Sequence, residues 1–220
     1  MTEKLWLAWV DPEAMLDFLR DRAHERKLRL FAVACCRRVW NALHGPGSRG
    51  AVEVAERYAD GTADDVELLV ARTAAEREIN PEAFDRENPA YWVAHSPMTV
   101  QVCLYSAGWA DSLAPDAPWL ADSSEHESAR AVERASQAEI LREVFGNPFR
   151  PVSLDPRWRS ETVVALAAGI YAERAFDRMP ILADALEDAG CDHADILAHC
   201  RGDEPHVRGC WLVDLLLGKS

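Results

Sequence analysis

Apolar residues recur along most of this chain at the three- and four-residue spacing of an amphipathic helix, and no alternation of apolar and polar residues runs long enough to predict a strand. Asp11-Pro12 reads as a helix start: Asp can accept from free amides, and Pro at the first helical position forfeits no hydrogen bond. Met15, Leu16, Phe18 and Leu19 supply its apolar stripe. A second helix is predicted from about Glu25 to Leu43, with Leu28, Phe31, Ala32, Cys35, Val39 and Leu43 on one face, and Gly45-Pro46-Gly47 ends it. Ser48 is the expected cap of a third helix, which carries Val52, Ala55 and Tyr58 and stops at Asp60-Gly61. Thr62 with Asp65 predicts a capping box for a fourth, ending near Glu78.

Pro81, Pro89 and Pro97 then break the pattern, so 80–97 reads as a packed connection carrying Phe84, Tyr91 and Trp92. Ser96-Pro97 is the expected start of a helix through Val100, Cys103, Leu104 and Ala107, and the Pro/Asp-rich 111–122 is the best surface loop. A long helix follows from Ser124 to Phe145, and prolines forbid one across the crossover from Gly146 to Trp158. Ser160-Glu161 caps a helix reaching Asp177, and three short helices (180–188, 192–201, 205–217) each stop at a glycine, Gly190, Gly202 and Gly218. The expected fold is all-α, an irregular bundle of nine or ten helices with a Pro-rich crossover loop. It reads as one helical domain over 1–220, with 111–122 as the place where halves 1–110 and 123–220 could divide.

Composition narrows the class. At 220 residues, 49% of them hydrophobic, the chain can bury roughly 70% of its unfolded surface without disulfides or metal. Eight Trp against 11 Gly argue for order and against a turn-rich sandwich. The opening residues Met1 to Trp6 lack the basic and apolar regions of a signal peptide, and no apolar run approaches a membrane span, so a cytoplasmic protein with no membrane partner is expected. A net charge of -13 disfavours sequence-independent binding to nucleic acid. That charge is uneven, however. Between Arg20 and Arg38 seven cations face only Asp21 and Glu25, a local +5 that leaves -18 elsewhere.

Candidate chemistry gathers in three places. In the basic segment, Arg22, Arg26, Arg29 and Arg37 could form a patch for phosphate, RNA or an acidic partner; alternatively, acids such as Asp111, Asp116, Asp122, Glu125 and Glu127 neutralise it internally. In the crossover, Asn147 and Arg150 are candidate binding residues on a stiff loop, although Phe149, Leu154 and Trp158 could simply pin that loop to the core. At the C-terminus Cys191, His193, His199, Cys200, His206 and Cys210 fall within twenty positions. Zinc takes four thiolate or imidazole donors in a tetrahedron. His206 and Cys210 are four apart, on one face if helical, and Cys200 could meet them across a turn with His199 or Cys191 as fourth donor. The competing reading makes Cys200 and Cys210 small core residues and the histidines surface groups. Cys35 and Cys36 point about 100° apart on a helix and read as buried thiols.

The segments Arg26 to Arg38 (RKLRLFAVACCRR), Ala51 to Gly61 (AVEVAERYADG), Phe145 to Trp158, and Phe176 through Gly209-Cys210-Trp211 to Lys219 resemble a family of uncharacterised bacterial proteins abundant in planctomycetes. The resemblance implies no activity, cofactor or site. Arg178 to Gly190, followed by Ala194 to Leu197, is similar to a short repeat-companion motif of multidomain proteins, with Ala185 where that motif carries Trp, and implies a helical accessory module. No nucleophile elbow, P-loop, dinucleotide fingerprint or His-Glu-x-x-His occurs. The leading expectation is therefore a non-enzymatic interaction or adaptor module for an unidentified protein partner, with no cofactor. The first alternative is a zinc-binding regulator or metal-dependent enzyme using the C-terminal residues, and the second is nucleic-acid binding through 20–38.

Overall fold

The computed structural model describes residues 1–43, 45–78, 88–112 and 123–219. Among them there is no strand, and the chain forms twelve helices: α1 Glu3–Ala8, α2 Pro12–Leu19, α3 Glu25–Arg38, α4 Pro46–Ala59, α5 Asp65–Arg77, α6 Pro89–Val93, α7 Val100–Ser112, α8 Ser123–Phe145, α9 Glu161–Glu173, α10 Met179–Asp188, α11 Ala194–Arg201 and α12 Trp211–Leu217. The all-α bundle is as expected, with twelve helices among the described residues where the periodicity predicts nine or ten. Both extra helices, α1 and α6, are too short for a repeating apolar face and are held by local caps, the Thr2 hydroxyl on the Leu5 amide and the Asn88 carbonyl on the Ala90 amide.

Asp11 caps α2 and Ser160 caps α9 through their side-chain oxygens, as the sequence suggests. Elsewhere tertiary contacts move the boundaries. The capping box on α5 is Asp64 with Glu67, not Thr62 with Asp65. Ser48 lies inside α4, where its hydroxyl and amide both donate to Glu78. The second helix ends at Arg38 and tightens into a 3-10 turn at Trp40–Ala42.

The last helix begins at Trp211 rather than Pro205, because Gly209 adopts φ +97 and breaks the helical path. A Cβ at Gly209 would also stand 3.0 Å from the Leu30 side chain, so this turn needs glycine twice over. The loop 111–122 lies largely outside the described residues.

Two buried apolar clusters form the core. The first gathers Trp6, Met15, Leu16, Phe31, Cys35, Cys36, Val52, Cys103, Ile140, Leu141 and Val144 around α3. The second gathers Val163, Ile170, Met179, Leu182, Cys191, Ile196, Cys200, Cys210, Leu212 and Leu216. The end of α8, the crossover and the segment before α12 join them. Trp6 Nε1 donates to the Gly146 carbonyl at 3.0 Å, and Lys27 Nζ donates to the carbonyls of Val144 and Gly209 at 2.9 and 3.0 Å.

Candidate metal centre

At this junction α8 presents Glu143 from its last turn, α11 presents His199, and the segment between α11 and α12 presents His206 and Cys210. One ligand atom from each of the four lies within 4.8 Å of all the others. His206 Nδ1 is 3.0 Å from Glu143 Oε1, His199 Nε2 is 3.5 Å from Glu143 Oε2, and His199 Nε2 is 3.2 Å from Cys210 Sγ. A tetrahedral ion with ligand bonds of about 2.0–2.3 Å has donor–donor edges of roughly 3.3–3.8 Å. Of these distances 3.5 Å lies within that range and 3.0 and 3.2 Å fall just under it, the two to Glu143 running to different oxygens of its carboxylate.

The centre is enclosed. Glu143 is 4% exposed and Cys210 0%. Among the described residues no Lys or Arg lies within salt-bridge distance of Glu143, whose ionic contacts are the two imidazoles alone. Burial pushes the pKa of His199 down, with the Glu143 charge opposing that shift and His206 adding to it. Burial, followed by the Glu143 charge, pushes the Cys210 thiol up. Glu143 Oε2 and His206 Nε2 are buried without a hydrogen-bond partner. A divalent ion on Glu143 carboxylate, Cys210 thiolate and two neutral imidazoles would make a set of zero net charge, relieving both the buried anion and the thiol.

Of the residues singled out from sequence, the structure brings together His199, His206 and Cys210. Cys191 and Cys200 share the second cluster with Cys210 but are not among the four; burial and then the neighbouring Cys191 push Cys200 up to about 12. His206 and Cys210 meet through the Gly209 turn and not along one helical face. Glu143 carried no sequence signal: it lies 63 positions from His206, in a helix rich in Glu and Arg.

The other candidates are engaged elsewhere. Arg29 is fully buried and donates to the carbonyls of Val93 and His95 and to Glu25. Arg26 forks onto Asp214 and reaches Asp60. Arg37 pairs with Glu56, and Arg22 donates to the Phe18 carbonyl while stacking on the Phe18 ring. The neutralising acids are thus Glu56, Asp60, Asp214 and Glu133, the last paired with Arg38. Of those read from sequence, Asp116 and Asp122 lie outside the described residues. Asn147 and Arg150 both bind Glu3, tying the crossover to α1.

Glu143 and His199 also line a cleft of about 750 Å³ with Trp6, Arg142 and Trp211, so an ion at the centre would lie against its inner wall. No family model, curated protein or solved structure matches this chain.

Proposed function

We propose that the chain is a metal-binding helical module in which one zinc-type divalent ion, held by Glu143, His199, His206 and Cys210, ties the end of α8 to the C-terminal helices. The carrying observation is a carboxylate buried among three further metal donors with, among the described residues, no Lys or Arg within salt-bridge distance. Four protein donors close a tetrahedral site, the pattern of a structural ion, so the reading is a metal staple between two cores. Soft thiolate and imidazole donors favour zinc over magnesium or calcium.

Elemental analysis of untagged protein tests this. About one equivalent of zinc is expected, and less than about a tenth of an equivalent, together with no uptake of added zinc, would overturn it. Cobalt uptake should add a thiolate-to-metal absorption band that Cys210→Ser removes.

A second reading, a protein-contact module, is favoured by α5. Val66, Leu69 and Val70 share one face of that helix and are 68%, 53% and 63% exposed. Affinity purification at native expression level should then recover a partner that Val66→Asp with Val70→Asp loses, and recovery unchanged by that pair would sink this reading. Zinc content would be unaffected by the same substitutions.

A further inference from the structure

On another side of the junction three carboxylates, Glu56, Asp60 and Asp214, are only 4%, 5% and 1% exposed. Six cations converge on them. Arg37, Arg174 and Arg208 meet Glu56; Arg26, Arg208 and Lys219 meet Asp60; Arg26 and Lys27 meet Asp214. Among the described residues no other carboxylate pairs with any of the six. Three positive charges are therefore in excess, inside a chain whose net charge is -13.

The excess faces outward. Arg26 and Lys27 lie deepest, whereas Arg208, Arg37, Lys219 and Arg174 are progressively more open, the last at 42%. Each of these outer cations is already held in place. Arg208 and Lys219 both lie 4.6 Å from the centre of the Tyr171 ring. The Tyr171 hydroxyl donates to Asp60 and accepts from Arg26. Arg174 occupies the left-handed region, φ 53 and ψ 34, at the end of α9, where glycine would be less strained, and this turn sets its guanidinium against Glu56. Arg208 Nε is buried without an acceptor.

Guanidinium forks held in advance by buried acids, with surplus charge on the solvent side, match the doubly charged, multi-oxygen phosphate group better than a single carboxylate. We propose that Arg37, Arg174, Arg208 and Lys219 form a binding site for a phosphate dianion, free or as a small phosphomonoester. The buried carboxylates offset the mutual repulsion of the cations, hold them together and leave little reorganisation for binding. Its Arg208 lies on the same short segment as the metal-ligand candidates His206 and Cys210, whereas Arg37, Arg174 and Lys219 come from other parts of the chain.

Calorimetric titration of the full chain with inorganic phosphate at fixed ionic strength tests the proposal, with phenyl phosphate as a second arm. Saturable binding of one equivalent is expected. Arg174→Gln and Lys219→Gln, both outside the apolar clusters, should each weaken it about tenfold, the loss of one charge-assisted contact. Arg157→Gln, at a residue that pairs with Asp155 away from the cluster, should leave it unchanged. Tighter binding of phenyl phosphate would assign a phosphomonoester, and equal or weaker binding would assign the free anion. No saturable binding, equal binding by the wild type and both cluster variants, or the same response to chloride would overturn the site. A response that survives Arg174→Gln but disappears in Cys210→Ser belongs to bound metal and overturns it as well.

Discussion

His206 Nδ1 lies 3.0 Å from Glu143 Oε1, joining the last turn of α8 to the segment that leads into α12. In the same enclosed space His199 Nε2 lies 3.2 Å from Cys210 Sγ. Four residues from three parts of the chain thus meet where the two apolar clusters join, and substitutions there should act on both metal content and the union of the cores.

Glu143→Gln keeps the shape of the side chain and removes its charge. With a bound ion, the variant should lose zinc affinity by at least about tenfold and melt at a lower temperature, because a ligand that binds only the folded state stabilises it. Zinc affinity measured by competition with a chromogenic chelator checks this. An unchanged affinity would remove Glu143 from the ligand set.

Gly209→Ala should destabilise the fold by about 1–3 kcal/mol, since a Cβ meets both a left-handed backbone and the Leu30 side chain. Because Cys210 follows directly, zinc retention should fall with stability. Chemical denaturation with and without added zinc reads both effects, and a loss under about 0.5 kcal/mol would contradict the geometry.

Arg29 is completely buried between α3 and the end of α6. Arg29→Ala leaves the Val93 and His95 carbonyls without a donor and should cost about 3–5 kcal/mol. Arg29→Lys keeps the charge but loses the fork, and should cost less, about 1–3 kcal/mol. Urea unfolding of the two variants gives the order, and a lysine variant as unstable as alanine would show that charge is not what matters there.

Asp60 sets an acid limit. Burial alone would raise its carboxyl, but the Tyr171 hydroxyl and the charges of Arg208, Lys219 and Arg26 outweigh burial and hold it below the usual carboxylate value. A depressed folded-state pKa contributes stability that is present above the unfolded value of about 4 and is lost as pH falls through the folded value. Asp60→Asn should therefore be less stable at pH 7, with the gap to the wild type narrowing steadily below about pH 4. Thermal melts across pH 7 to 3 check this, and a constant gap would rule out that linkage.

Local chemistry made much of the fold legible. Three-residue apolar spacing marked most of the longer helices, Asp11-Pro12 and Ser160 marked their starts, and Gly190 and Gly218 marked stops, because these signals act within one turn of the chain. The sequence by itself therefore determined an all-helical chain, the proline-bound crossover, and the presence of Cys and His donors near the C-terminus. Only the tertiary structure decided which donors meet. Cys200 and Cys210 look alike in sequence and both join the second apolar cluster, yet only Cys210, beside the Gly209 turn, also comes within metal-ligand reach of Glu143, in a helix 63 positions before His206. For the basic stretch the sequence left a binding patch and internal neutralisation as alternatives, and packing placed Glu56, Asp60, Asp214 and Glu133 against it. Charge balance and metal geometry depend on distances between elements remote in the chain, and such distances are set by how helix faces pack, which no local spacing encodes.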